Sequence, residues 1–161
     1  MILQFGSFTV DVDVEKTKQF YEASVQTLTE GCDCIACQNF VKASESFPME
    51  VRSFFTRLGV DVCKAPDMSA MYGEKERQIL HYWGFYHLCG SILTGENPWV
   101  ADLYGGGQWD SEKAYEVTPG CRVGFSERCA LVEEGFPEPV IQLEVEMEVA
   151  WLLEEQYYLL T

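Results

Sequence analysis

Residues 78–92 limit the possible folds more than any other part of the chain. Leu80, Tyr82, Gly84, Tyr86 and Leu88 alternate with His81, Trp83, Phe85, His87 and Cys89, the period of two that belongs to an extended strand. Both sets are largely apolar or aromatic, so this strand is expected to be central and covered on both faces. Two further strands are expected at 121–132 and 140–152. The turn residues Gly135-Phe136-Pro137-Glu138-Pro139 between them predict an antiparallel hairpin with a long connection. In the last strand Ile141, Leu143, Val145, Met147 and Val149 belong to the core face, and Gln142, Glu144, Glu146 and Glu148 to the wet one. The stretch 95–120, with Gly105-Gly106-Gly107 and Pro119-Gly120, reads as irregular loop. Its glycine run lacks the Lys and Ser/Thr of a phosphate loop, so no nucleotide is inferred.

The first half is helical in character. Residues 8–14 alternate as a half-buried strand, and Asp13 is placed to cap a helix from Val14 to about Ser24 anchored by Phe20 and Tyr21. A second helix follows the cysteine segment Cys32-Asp33-Cys34-Ile35-Ala36-Cys37, with Asp33 as its expected N-cap. Val51, Phe54, Phe55 and Leu58, at the i, i+3, i+4, i+7 spacing of one buried face, predict a helix over 48–58. Pro48 opens it and Gly59 ends it. Helices first and strands afterwards predict an α+β fold, with N-terminal helices packed on a mostly antiparallel β-sheet in one domain spanning 1–161.

The 11 basic and 26 acidic residues leave a formal charge of −15. That balance repels the phosphates of nucleic acid and of anionic lipid surfaces, so neither is an expected partner; it serves solubility first, and a basic protein is the alternative reading. Glu144, Glu146 and Glu148 would form the acidic face for it, or pair across the hairpin with Arg122 and Arg128. No apolar run approaches the roughly 20 residues of a membrane span, and the N-terminus lacks the pattern of a signal peptide. The chain is therefore expected in a reducing bacterial cytoplasm, where its seven cysteines are free thiols or metal ligands rather than a disulfide framework.

Three of those thiols fall within six residues at the mouth of a helix. Cys32, Cys34 and Cys37 can serve as small buried side chains, as thiolate ligands for zinc, or, through Cys34-Ile35-Ala36-Cys37, as a redox dithiol. The commonest of these roles is packing. A closed zinc site needs a fourth ligand, for which His87, His81, Cys63 or a cysteine of the hairpin is available. His81 and His87 cannot share an ion, because six residues of strand separate them by about 20 Å.

Five segments carry a resemblance. They are Phe8-Thr9-Val10-Asp11-Val12-Asp13 with Glu15-Lys16-Thr17, Cys32-Asp33-Cys34-Ile35-Ala36-Cys37-Gln38-Asn39-Phe40, Phe54-Phe55-Thr56-Arg57-Leu58-Gly59-Val60-Asp61, Gly84-Phe85-Tyr86-His87-Leu88-Cys89-Gly90 and Phe136-Pro137-Glu138-Pro139-Val140-Ile141-Gln142-Leu143-Glu144. Together they resemble a family of small bacterial proteins, chiefly from Firmicutes, to which no activity is assigned. The resemblance implies that the thiols of Cys32, Cys34 and Cys37 and the imidazole of His87 are the groups to examine. The functional expectation is a non-enzymatic cytoplasmic binding protein with a thiolate metal site. The alternatives are a thiol-dependent redox enzyme using Cys34 and Cys37, and an acidic inhibitor or immunity protein for a basic partner.

Overall fold

The strand expected at 78–92 is the axis of the molecule. In the computed structural model, which describes residues 1–161, it runs as β4 from Ile79 to Thr94, preceded by β1 (Ile2–Phe5), β2 (Phe8–Val12) and β3 (Asp67–Glu74). On one side β4 pairs along most of its length with β9 (Val140–Ala150), from Ile79 opposite Ala150 to Cys89 opposite Val140. Beyond β9 lie β8 (Cys121–Ser126) and β7 (Tyr115–Thr118), and every pairing is antiparallel. On its other side β4 is too long for one partner. β3 covers its first half, β2 covers its last residues, and β1 extends the sheet from β2.

The gap between β2 and β3 is closed by a helix rather than a strand. Helix α1 (Val14–Ala23) begins where Asp13 accepts a hydrogen bond from Lys16 N at 3.0 Å, as its position in the sequence predicts. The buried hydroxyl of Tyr21 then donates to His87 O at 2.9 Å and accepts from His87 N at 3.0 Å. Thr17 Oγ1 accepts from Cys89 N at 3.1 Å, and Asp13 N donates to Cys89 O at 2.8 Å. Backbone groups buried without partners are costly, and the side chains of Tyr21 and Thr17, with the amide of Asp13, supply the missing ones.

Three more helices follow: α2 (Leu28–Gly31), α3 (Ile35–Ser44) and α4 (Met49–Leu58). The last matches its predicted face, with Val51, Phe54, Phe55 and Leu58 buried. Gly59 ends it at a φ of 77°, where a Cβ would lie 2.6 Å from Val14 O, so glycine is required both for the left-handed turn and for the contact with α1. One face of the sheet packs on α3 and α4 through aromatic rings, among them Phe40 on Tyr82 at 5.3 Å, Phe55 on Tyr86 at 5.1 Å and Phe5 on Phe54 at 5.0 Å. Ile141, Leu143, Val145, Met147 and Val149 join that core, as their alternation predicts.

Four expectations are corrected. The opposite face of β9 is not uniformly wet: Gln142 and Glu144 are buried, Gln142 because the segment after β8 folds onto it, with Ala130 N donating to its Oε1 at 2.8 Å, and Glu144 beside it, accepting from Gln142 Nε2 and held by the Trp99 side chain. Alternation tells which residues share a face, not whether a connecting loop lies on it. The hairpin strands are shorter than expected, ending at Ser126 and Ala150. The supposed loop 95–120 holds β7 and a separate two-stranded ribbon, β5 (Trp99–Ala101) with β6 (Gly107–Trp109). The N-cap of α3 is Cys34, not Asp33. No helix is long and apolar enough to cross a membrane.

Candidate metal centre

The cysteine segment is set between two short-range devices. Thr27 and Glu30 form a reciprocal cap on α2, which ends at Gly31, and the chain turns into α3 with the Cys34 sulfur accepting from Cys37 N at 3.4 Å. A sulfur therefore occupies the position where a carboxylate or hydroxyl oxygen usually satisfies first-turn amides. Further along, α3 is fixed to the sheet. Tyr82 Oη donates to Ala36 O at 2.7 Å, Asn39 Nδ2 donates to Ala150 O at 3.0 Å, and Leu152 N donates to Asn39 Oδ1 at 2.7 Å. The helix end that carries the thiols is thus anchored to β4 and to the end of β9.

The three sulfurs of Cys32, Cys34 and Cys37 lie within 4.8 Å of one another, close enough for one metal ion. Cys32 and Cys34 are exposed and Cys37 is buried. This departs from the packing role expected as commonest for these cysteines, which would have left the thiols apart in apolar surroundings. Hydrogen bonding from the Cys34 backbone, and then from the Cys34 and Cys37 side chains, holds the Cys32 thiol below its usual range. Burial, followed by the two neighbouring sulfurs, pushes Cys37 up. A bound cation would reverse that second effect, since coordination deprotonates a thiol outright. The cluster opens into a groove of about 590 Å³ whose lining includes Lys64, Asp67, Met68, Glu133 and Tyr157.

None of the four expected sources of a fourth ligand stands with the three sulfurs. His87 is on the other face of β4, buried, with Nε2 3.2 Å from Gln142 Oε1 and its ring 5.8 Å from that of Phe136; burial lowers its pKa. His81 is also on that face, 2.8 Å from Glu74. Cys63 contacts Ser44 Oγ at 3.3 Å, Cys121 is buried in the core, and Cys129 faces Val140 O at 3.7 Å. The missed placement of His87 has a simple cause: its parity is opposite to that of Tyr82 and Tyr86, which point at the helices.

The expected acidic strip is broken up. Glu144 is buried and accepts from Gln142 Nε2 at 2.7 Å, and burial raises its pKa. Arg122 lies directly opposite Glu146 in the register but makes its ion pair with Glu116 at 3.7 Å, and Arg128 falls beyond the end of β8. Glu148 pairs with Arg77 at 2.9 Å. A second cluster that the sequence did not reveal, Glu74, His81 and Glu148, also has its ligand atoms within 4.8 Å of one another. It depends on β3, whose sequence Asp67-Met68-Ser69-Ala70-Met71-Tyr72-Gly73-Glu74 has too little alternation to announce a strand. No known protein family, curated protein or solved structure matches the chain, so the chemistry is read from these residues alone.

Proposed function

We propose that the protein is a non-enzymatic binding protein that holds a zinc ion on Cys32, Cys34 and Cys37 and takes the fourth ligand from outside the chain. The observation that carries this reading is the convergence of the three sulfurs within 4.8 Å. Three thiolates suit a soft or borderline cation with tetrahedral preference, and a site with three protein ligands keeps one position open. The end of α3 adds the favourable field of its amides for anionic sulfur. The adjoining groove gives an incoming ligand access to that position.

The redox reading has one observation in its favour: an exposed Cys34 and a buried Cys37 resemble an attacking and a resolving thiol. The two readings separate at Cys32. Cobalt titration of reduced protein is expected to give one equivalent with thiolate charge-transfer absorption, lost in Cys32→Ser. A redox dithiol would survive Cys32→Ser, form a Cys34–Cys37 disulfide in a glutathione buffer, and show no such metal spectrum.

A further inference from the structure

The turn between β3 and β4 brings together side chains from three strands on the face away from the helices. His81 lies opposite Tyr72 of β3 on one side and opposite Glu148 of β9 on the other. Its imidazole is buried, stacked on the Tyr72 ring at 4.1 Å and 17°, with Nε2 2.8 Å from Glu74 Oε1. The guanidinium of Arg77 bridges the two carboxylates, 3.1 Å from Glu74 and 2.9 Å from Glu148. These acceptors are therefore already arranged around a cation.

That cation does not balance its surroundings. The adjoining cleft, about 270 Å³, is also lined by Glu116, Glu146 and Arg122. Glu146 Oε2 is buried there with no hydrogen-bond partner. Four carboxylates thus face two guanidiniums, an excess of two negative charges, in a place where an unpaired buried carboxylate oxygen is costly. A divalent ion in the place of Arg77 brings one more positive charge than the guanidinium it displaces.

We propose that Glu74, His81 and Glu148 form a second metal site, for a hard or borderline divalent cation of the Mn²⁺ type, which displaces Arg77 from the two carboxylates. Two carboxylate oxygens and one imidazole nitrogen form the donor set such an ion takes, in contrast to the three thiolates of the cysteine cluster. Stacking on Tyr72 fixes the imidazole plane, so Nε2 becomes a ligand by moving its proton to Nδ1 without turning the ring. Arg77 is more than half exposed on its turn, and ion pairs made by a solvent-exposed side chain are weak. Its release to solvent is therefore a small cost. The site does not depend on the proposed zinc site, and the two can fail separately.

The test uses full-length protein carrying Cys32→Ser, Cys34→Ser and Cys37→Ser, titrated with Mn²⁺ and followed by calorimetry and electron paramagnetic resonance. One equivalent is expected, with nitrogen coupling from a single imidazole. His81→Ala should abolish the coupling, and His81→Ala and Glu148→Gln should each weaken binding by about tenfold or more. Arg77→Ala should tighten it by up to about fivefold, because a competing cation is removed. If His81→Ala does not fold, Glu148→Gln, on the half-open rim, decides together with the nitrogen signal of the parent protein. No binding at millimolar Mn²⁺, binding indifferent to Glu148→Gln, or weaker binding in Arg77→Ala would each overturn the proposal. The last result would mean that Arg77 supports the cluster rather than standing in for an ion.

Discussion

Replacing Tyr21 with Phe removes one oxygen atom and leaves the ring where it is, yet that oxygen is the partner of both the N–H and the C=O of His87. Tyr21 is 4% exposed, so water cannot readily take over. Leaving a buried backbone group unsatisfied costs roughly 1–3 kcal/mol, and two groups give about 2–4 kcal/mol after some relaxation of α1. With a urea m-value of about 2 kcal/mol/M for a domain of this size, the midpoint should fall by about 1–2 M at unchanged m. Thr17→Val removes the acceptor for Cys89 N and one of two donors to Asp13 O, which keeps Thr17 N, so it leaves one buried group unpaired and should cost about half as much. The two sites share α1 and one edge of β4, so the double variant should be less destabilised than the sum. Equilibrium urea unfolding followed by tryptophan fluorescence gives all three values. A Tyr21→Phe midpoint within about 0.3 M of wild type would refute the claim that α1 completes the hydrogen bonding of this edge.

Gly90→Ala should be at least as damaging, since its Cβ would stand 2.2 Å from Asp11 O on β2; a loss of about 3 kcal/mol or failure to fold is expected, measured by the same unfolding curves. Glu144 and His87 should give pH profiles of opposite sign. Because burial raises the Glu144 pKa, the folded state prefers the protonated acid, so Glu144→Gln should stabilise the protein at neutral pH. That gain should vanish as pH falls below the unfolded value of about 4.3. Because burial lowers the His87 pKa, the unfolded chain binds the proton more readily. Wild type should therefore lose stability relative to His87→Gln as pH falls through about 6.5 towards the lower folded value. Thermal unfolding at stepped pH reads both differences, and parallel profiles would contradict the assignment.

Regular periodicity made much of this architecture readable in advance. The alternation in β4 and β9 and the 3.6-residue repeat of α4 identify their core faces because each residue there answers to one buried surface. Where local pattern and tertiary cover diverge, the reading fails. Nothing in Gln142 or Glu144 announces that Ala130 reaches the one and Trp99 the other, and nothing in the sequence of β3 says that β4 offers it an edge. The site divides in the same way. The three thiols are adjacent in sequence and brought together by one helix end, so their spacing carries the signal. His87 depends on the handedness of a strand relative to the helices, and the Glu74, His81 and Glu148 cluster depends on three strands and their register. Tyr21 and Thr17 were visible only as helix residues, since a side chain that substitutes for a missing strand leaves no periodic trace.

X-ray absorption at the zinc edge, on untagged reduced protein loaded with one equivalent of zinc, tests the central claim most directly. Three sulfur scatterers at about 2.3 Å and one lighter ligand are predicted, with the sulfur shell lost in Cys34→Ser. A zinc environment of nitrogen and oxygen alone, or zinc removed by dialysis while all three thiols remain reduced, would contradict it.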